Sequence, residues 1–271
     1  MKNYFYDQNN VRYSLVATNG GKSLNWLFLP GGPGADSSYF DPLTSNLDLP
    51  GNLWLIDLPG NGSHDVKKDN FDEWFDIFLP TIRRFKNPVL VGHSFGGMLP
   101  LLFPELENIL KGFVILNSSP CLWMNATVEV AKKRNLPDLS ADMAEFTKNP
   151  NQETFDKALL ACMPYYFEEK SMKKGAELFR AMATQYLPAV WWQRKVLEIQ
   201  YEAKWIPQNV PALIVGSEFD AITPFDLFQQ DVRFNRPNIS TCYIKEAGHI
   251  PWVEKPEEVV TALHNFSNHL K

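Results

Sequence analysis

The sequence predicts an α/β fold: a mostly parallel central sheet flanked by helices, with a helical lid inserted before the last two strands. Six short apolar runs have glycine or proline at or soon after their C-terminal ends, which is typical of strands buried on both faces of a parallel sheet. Helix-length segments separate several of these runs, and such alternation favours parallel pairing. The runs cover residues 26–29, 53–56, 88–91, 113–116, 212–215 and 241–244, and the helical segments cover 71–85, 97–110 and 256–270.

The first strands are expected to form a hairpin at the edge of the sheet. Residues 10–17 alternate and are rich in valine, tyrosine and leucine, and the aromatic residues 4–6 precede them. Alternation of this kind is typical of strands that expose one face.

Residues 120–207 break the alternation of strand and helix, because they contain no strand-like run with a glycine end. We interpret this stretch as a helical insertion between two strands, and hence as a lid. Its helix-like segments cover residues 127–134, 152–163 and 191–203. The prediction therefore divides the chain into an α/β core, residues 1–119 and 208–271, and a lid, residues 120–207.

Composition and charge exclude several classes of partner. The chain has 271 residues, with 26 basic and 31 acidic side chains and a formal net charge of −5 at pH 7. Nucleic-acid binding usually shows as a basic excess, which is lacking. No stretch approaches the roughly 18 apolar residues of a membrane span, and the polar first residues do not resemble a signal peptide. We therefore expect no nucleic-acid partner, no membrane association and a cytoplasmic location.

The three cysteines are Cys121, Cys162 and Cys242, and no two of them form a CxxC pair. Their odd number and wide spacing argue against a disulfide framework and against a zinc site. Buried, reduced thiols are the simplest interpretation, and no metal site is expected.

Residues 92–96 have the sequence Gly-His-Ser-Phe-Gly and follow a predicted strand. A serine at a sharp turn from strand to helix needs strained backbone angles and flanking glycines without side chains that would clash. The N-terminus of the following helix favours developing negative charge. This context predicts that Ser94 is a nucleophile, although an incidental serine in a glycine turn would have the same motif.

A serine nucleophile needs a base, and a base needs a carboxylate that orients it. Of the five histidines, His249 is the best placed, because it follows the last predicted strand. Asp220 follows the strand before it, with Glu218 as the nearest competitor. The order Ser94, Asp220, His249 is one in which such triads occur along the chain. The other histidines are His64, His93, His264 and His269, and two further acidic candidates are Asp226 and Asp231.

Residues 30–34 have the sequence Pro-Gly-Gly-Pro-Gly and follow another predicted strand. Glycines let the backbone approach closely and aim N–H groups at a developing oxyanion, which needs at least two donors. We expect the backbone N–H groups of Gly32 and Phe95 to be these donors, although the motif alone could be a tight turn.

Together these motifs resemble the α/β-hydrolase superfamily over nearly the whole chain, and most closely its proline iminopeptidase-like branch. The resemblance implies an α/β-hydrolase fold and a lidded serine hydrolase that needs no cofactor. The segments that carry it beyond the elbow are residues 30–34, similar to the family's His-Gly-Gly-Pro-Gly loop, 57–63, 220–224 and 247–256.

The chain departs from that branch at three places. Pro30 replaces the histidine that braces the glycine loop, and residues 57–60 read Asp-Leu-Pro-Gly rather than Asp-Gln-Arg-Gly. The lid lacks the Trp-x-x-Trp-Glu pattern associated with recognition of a free amine, and Trp-Trp-Gln at 191–193 is the nearest match. Glu198 or Glu202 could bind an amine instead, but we interpret both as a solvated helix face.

These observations favour a serine hydrolase that cleaves a small ester, thioester or amide, with a small-molecule acyl compound or a short peptide as its substrate. An aminopeptidase that removes N-terminal proline is the second hypothesis, and a hydrolase-fold ligand-binding protein is the third. A lyase or a C–C hydrolase on the same triad also stays open. Specificity depends on lid side chains that the sequence does not position, and the oligomeric state stays open too.

Overall fold

The computed structural model describes residues 4–21, 23–64 and 70–270. Within these ranges the chain forms a mixed sheet of eight strands. Its spatial order is β1-β2-β4-β3-β5-β6-β7-β8. The strands are β1 (Tyr4–Tyr6), β2 (Arg12–Asn19), β3 (Asn25–Leu29), β4 (Gly51–Asp57), β5 (Pro88–His93), β6 (Gly112–Leu116), β7 (Ala212–Ser217) and β8 (Ile239–Ile244).

The pairing confirms the predicted hairpin and the mostly parallel sheet. Strands β1 and β2 pair antiparallel, as do β2 and β4, and every other neighbouring pair is parallel. Each residue of the central strands β5, β6 and β7 is buried, which explains why these strands are continuous apolar runs.

Helices cover both faces of the sheet. Trp74, Phe78 and Ile82 of α2 recur every four residues and pack in one apolar cluster, whereas Leu263 and Phe266 of α12 pack in the other. The helices are α1 (Asp41–Thr44), α2 (Glu73–Arg83), α3 (Phe95–Met98), α4 (Met124–Lys133), α5 (Ser140–Lys148), α6 (Gln152–Ala161), α7 (Met163–Tyr166), α8 (Met172–Ala181), α9 (Tyr186–Glu198), α10 (Asp226–Gln229), α11 (Pro251–Glu254) and α12 (Pro256–Asn268).

The prediction of one helix over residues 97–110 is wrong. Helix α3 ends at Met98, and two short 3₁₀ segments follow, Pro100–Leu102 and Pro104–Asn108. Phe103 between them is extended, with φ −120° and ψ 91°. A residue before proline is pushed out of the helical region by the proline ring, so Pro104 interrupts the helix.

Between β6 and β7 the chain is helical, from α4 to α9, and this stretch contacts the loops at the carboxyl ends of the strands. The backbone N–H of Gln185 donates to the carbonyl of Gly34 at 2.8 Å. The boundaries of the lid, residues 120–207, stay a prediction. Residues 1–3, 22, 65–69 and 271 of the predicted core lie outside the described residues. No helix within the described ranges is long and apolar enough to cross a membrane.

The carboxylate of Glu107 fastens the chain that leads into β7. Its Oε2 accepts hydrogen bonds from the indole of Trp205 and the amide of Gln208, both at 2.9 Å. Its Oε1 accepts a hydrogen bond from the backbone N–H of Asn209 at 2.7 Å. Burial raises the pKa of Glu107, but these donors outweigh burial and hold the pKa below its ordinary value.

Glu107→Gln is expected to lower the free energy of unfolding by about 1 kcal/mol near neutral pH, because an amide accepts fewer of these bonds. A carboxyl whose pKa is lowered by folding adds stability above its ordinary pKa, and that stability is lost as the pH falls through the folded value. The difference between wild type and variant should therefore shrink as the pH falls below the ordinary glutamate pKa of 4.5. Urea unfolding measures it, with exposed Glu105→Gln as the control. An equal loss for both variants would contradict the assignment.

Candidate active site

Ser94 lies at the turn between β5 and α3, as the sequence predicts. Its backbone has φ 52° and ψ −120°, a strained conformation for a residue with a side chain. The amide of Ser94 donates to the carbonyls of Leu116 and Asn117, both at 3.1 Å, and Ser118 Oγ donates to the carbonyl of Ser94 at 2.7 Å. The neighbouring strand end therefore holds the strained turn in place.

Two glycines of the motif are required by close backbone approaches. A Cβ on Gly92 would lie 2.1 Å from the carbonyl oxygen of Gly96, and a Cβ on Gly96 would lie 2.3 Å from that of Leu29. A side chain at Gly92 would therefore force the turn open, and a side chain at Gly96 would force the turn away from β3.

Asp220 and His249 form a buried pair. His249 Nδ1 lies 3.0 and 2.9 Å from Asp220 Oδ1 and Oδ2. The carboxylate also accepts from the amides of Ile222 and Thr223, each at 2.9 Å, and from Asn117 Nδ2 at 3.0 Å. A carboxylate accepts only, so Nδ1 carries the proton and Nε2 of His249 is left with a lone pair.

Nε2 of His249 is buried and has no hydrogen-bond partner among the described residues. His249 and Ser94 line the same cavity, and the imidazole is 1% exposed. An unpaired ring nitrogen on a residue that lines the same cavity as a serine is compatible with a general base.

The glycine loop lies against Ser94. A Cβ on Gly31 would be 2.9 Å from Ser94 Cβ, and Gly32 has φ 106°. Within the described ranges, the backbone N–H groups of Gly32 and Phe95 donate to no protein acceptor. Two unpaired backbone donors are therefore available near Ser94, one in the glycine loop that lines the same cavity and one on the next residue of the chain.

Tyr39 and His93 brace this loop, and the sequence analysis assigned a role to neither. Gly31 N–H donates to the hydroxyl of Tyr39 at 2.6 Å, and that hydroxyl lies 2.8 Å from His93 Nδ1. His93 Nε2 lies 2.8 Å from the carbonyl of His249. Because a carbonyl only accepts, His93 donates through Nε2, and Tyr39 donates to Nδ1. The brace expected from a histidine at position 30 comes here from Tyr39.

Asn117 is a second residue without an assigned role that supports the site. It is the polar residue directly after β6, and its Nδ2 contacts Asp220 Oδ2, Ser217 Oγ at 2.9 Å and the carbonyl of Gly248 at 3.3 Å. Its position at a strand end was the signal that could have identified it.

The helical segment is bonded directly to the loop that carries His249. The amide of His249 donates to the carbonyl of Tyr166 at 2.7 Å. Glu254 accepts from the amide of Glu168 at 2.9 Å and from that of Gly248 at 2.5 Å. His249 is therefore positioned both by the end of the sheet and by the helical segment.

The cavity over Ser94 has a volume of about 250 Å³ and mainly apolar walls. Most of the residues that line it belong to residues 120–207, among them Met143, Phe146, Phe155, Leu159, Phe179 and Trp192. No aspartate, glutamate, lysine or arginine of the described residues lines it. No group of three or more metal-ligating side chains occurs in the described ranges either.

The alternative carboxylates have partners elsewhere. Glu198 pairs with Lys195 at 3.0 Å and Glu202 with Arg233 at 2.7 Å, and both glutamates are largely exposed. Neither lines the cavity. Glu198 lies on an exposed helix face, as interpreted, whereas the interpretation is wrong for Glu202, which lies beyond the end of α9 in an isolated bridge with Cys121. Glu218 accepts the amide of Glu246 at 2.9 Å.

Buried His93 is expected to make the protein sensitive to mild acid. Burial, reinforced by the nearby His249, lowers the pKa of His93 well below its ordinary value of 6.5. The unfolded chain therefore takes up a proton below about pH 6.5 that the folded state refuses, and each pH unit removes up to about 1.4 kcal/mol of stability. His93→Asn should flatten the fall in urea midpoint between about pH 7.5 and pH 5.5 relative to wild type. An unchanged slope, or the same flattening in exposed His269→Asn, would contradict this origin.

Comparison with known proteins identifies the family of the chain. Residues 26–262 match the profile of the alpha/beta hydrolase family. A proline iminopeptidase-related protein from Thermus thermophilus is similar in structure, with 18% identity, a TM-score of 0.75 and coverage of 100% of this chain and 98% of that one. An esterase from Thermogutta terrifontis has 18% identity, a TM-score of 0.71 and coverage of 99% and 98%.

A proline iminopeptidase of Mycobacterium smegmatis is also similar, with 17% identity, a TM-score of 0.66 and coverage of 99% of this chain and 98% of that one. No curated protein sequence matches the chain. Identities this low show the shared fold alone, whereas the profile match spans most of the chain. The protein therefore belongs to the alpha/beta hydrolase family.

Proposed function

We propose that the protein is a serine hydrolase that cleaves a small ester, thioester or amide through an acyl-enzyme. The observation that carries this proposal is the orphaned Nε2 of His249, which lines one cavity with Ser94 while Nδ1 is paired with Asp220. A tautomer fixed in this way supplies the lone pair that a serine hydroxyl needs for activation.

In the first half of the reaction, Ser94 Oγ attacks the carbonyl carbon and its proton passes to Nε2 of His249. The carbonyl oxygen becomes an oxyanion and accepts hydrogen bonds from the amides of Gly32 and Phe95. Asp220 stabilises the imidazolium that forms. The intermediate then expels the leaving group, which takes the proton from His249, and the acyl group stays on Ser94.

In the second half, water attacks the acyl carbonyl and gives its proton to His249. The same two amides hold the second oxyanion. Collapse of this intermediate breaks the bond to Ser94 Oγ, which recovers the proton from His249 as the free acid leaves. No step needs a group other than those of the chain, the substrate and water.

An aminopeptidase that removes N-terminal proline is the second candidate, since the fold is similar to that of proline iminopeptidases. Such an enzyme must bind the substrate's ammonium group, for which a carboxylate in the cavity is the expected partner. The described residues that line the cavity include none, and Asp156 behind Thr184 is exposed. These observations favour a neutral acyl substrate.

Fluorophosphonate labelling tests the nucleophile without knowledge of the substrate. We expect a single adduct on Ser94, located by mass spectrometry, that is lost in Ser94→Ala and in His249→Ala. Ester turnover should fall by roughly four to six orders of magnitude in Ser94→Ala. Exposed His269→Ala is the matched control and should label like wild type. A folded protein without an adduct would favour the third hypothesis, a ligand-binding protein.

Proline amide and its N-acetylated form distinguish the two enzymes. We expect the free amine to react no faster than the acetylated form, because its ammonium group would enter an apolar cavity without a counter-charge. Gln193→Glu adds a carboxylate to the cavity wall and should raise the ratio of the two rates in favour of the free amine. A free amine turned over about 100-fold faster by the wild-type protein would support the aminopeptidase instead.

A further inference from the structure

Tyr166 lies at the end of α7 and lines the cavity over Ser94. Its ring packs edge-on against the imidazole of His249, with ring centroids 5.1 Å apart and the planes at 84°. It also packs edge-on against Phe179, with centroids 5.2 Å apart. The carbonyl of Tyr166 accepts the backbone N–H of His249 at 2.7 Å. Both its backbone and its ring therefore fix Tyr166 beside His249.

The hydroxyl of Tyr166 is unpaired but not closed off. Within the described ranges it forms no hydrogen bond. Four buried tyrosine hydroxyls do form one, those of Tyr13, Tyr39, Tyr165 and Tyr201. The oxygen of Tyr166 is not one of the fully buried polar atoms that lack a partner, so it keeps accessible surface.

This accessible surface lies inside the protein. Burial is the largest cause that raises the pKa of Tyr166, which places the phenol well below the outer surface and keeps it protonated near neutral pH. The hydroxyl therefore opens into the cavity that Tyr166 lines, where it is free to donate a hydrogen bond. The cavity volume of about 250 Å³ is small for a ligand site, so a substrate that fills the cavity reaches its walls.

The chemistry of the proposed serine hydrolase, on which this inference rests, decides which half of the substrate meets the hydroxyl. The leaving group takes its proton from Nε2 of His249, so it must lie beside that imidazole. Tyr166 packs on the imidazole, whereas Trp192 packs against Phe95. We propose that the hydroxyl of Tyr166 is a specificity-determining donor, which binds an uncharged oxygen carried by the leaving group.

The character of the cavity defines that oxygen. A carboxylate or an ammonium group would leave water for walls that offer no charged side chain among the described residues, which is costly. A hydrocarbon leaving group packed on Tyr166 would shield the hydroxyl without offering an acceptor, which is also unfavourable. An ether, hydroxyl or carbonyl oxygen satisfies the donor without bringing charge into the cavity.

Two sets of esters with matched size test this inference. The first contains pentyl acetate and two isosteres with one ether oxygen in the alcohol half, the ethoxyethyl and methoxypropyl acetates. The second contains ethyl hexanoate and two isosteres with the ether oxygen in the acyl half, the ethoxypropanoate and methoxybutanoate. We expect kcat/KM for one ether alcohol to exceed that for pentyl acetate by about tenfold, because one hydrogen bond is gained.

Tyr166→Phe keeps the ring against His249 and removes the hydroxyl. The ratio of kcat/KM between the preferred ether acetate and pentyl acetate should fall about tenfold, whatever happens to the absolute rates. The inductive effect of the ether oxygen is the same in both proteins and cancels in this comparison. Gln193→Leu removes another polar side chain from the cavity wall and is the matched control, which should keep the ratio.

A ratio unchanged by Tyr166→Phe, or no ether acetate preferred by the wild-type protein, would overturn the inference while Ser94 still reacts with fluorophosphonate. A preference in the acyl set that disappears in Tyr166→Phe would place the hydroxyl on the acyl half and overturn it as well. Neither labelling nor hydrolysis of any ester would overturn the proposed function, and the inference with it.

Discussion

Burying the carboxylate of Asp220 has an energetic cost, because a charge loses its hydration inside a protein. The fold offsets this cost with donors from three places: the imidazole of His249, the amides of its own turn and the side chain of Asn117 at the end of β6. These same contacts fix the tautomer of His249 and its distance from the sheet. The unpaired Nε2 can act on a group in the cavity over Ser94 only if the pair of Asp220 and His249 keeps this one arrangement.

A second network joins loops that are far apart in the sequence. Tyr39 accepts from the glycine loop and bonds to His93, and His93 reaches the carbonyl of His249. The glycine loop, the elbow of Ser94 and the loop of His249 are therefore linked through two buried side chains. Rigid support of this kind is what keeps reacting groups within the small tolerances that catalysis allows.

The strands and the elbow could be predicted because their signals are local. Apolar runs that end in glycine, and the glycines around Ser94, follow from the burial and backbone angles of a few adjacent residues. The prediction of a long helix over 97–110 is wrong because Pro104 keeps Phe103 out of the helical region, an effect that the spacing of apolar residues does not show. The role of Tyr39 could not be predicted, since it depends on which distant side chains the fold brings near it.

The hydrogen bonds between the helical segment and the loop of His249 limit how helical segments can be exchanged between members of the family. Exchanging residues 120–207 for the corresponding part of a relative would change the packing that places the backbone carbonyl of Tyr166 opposite the amide of His249 and the backbone amide of Glu168 opposite Glu254. A chimera would thus disturb the loop that carries His249 while leaving the sheet intact. Grafts that carry the helical segment and residues 247–256 together preserve these bonds, so the two stretches form a single exchangeable unit although about 40 residues separate them along the chain.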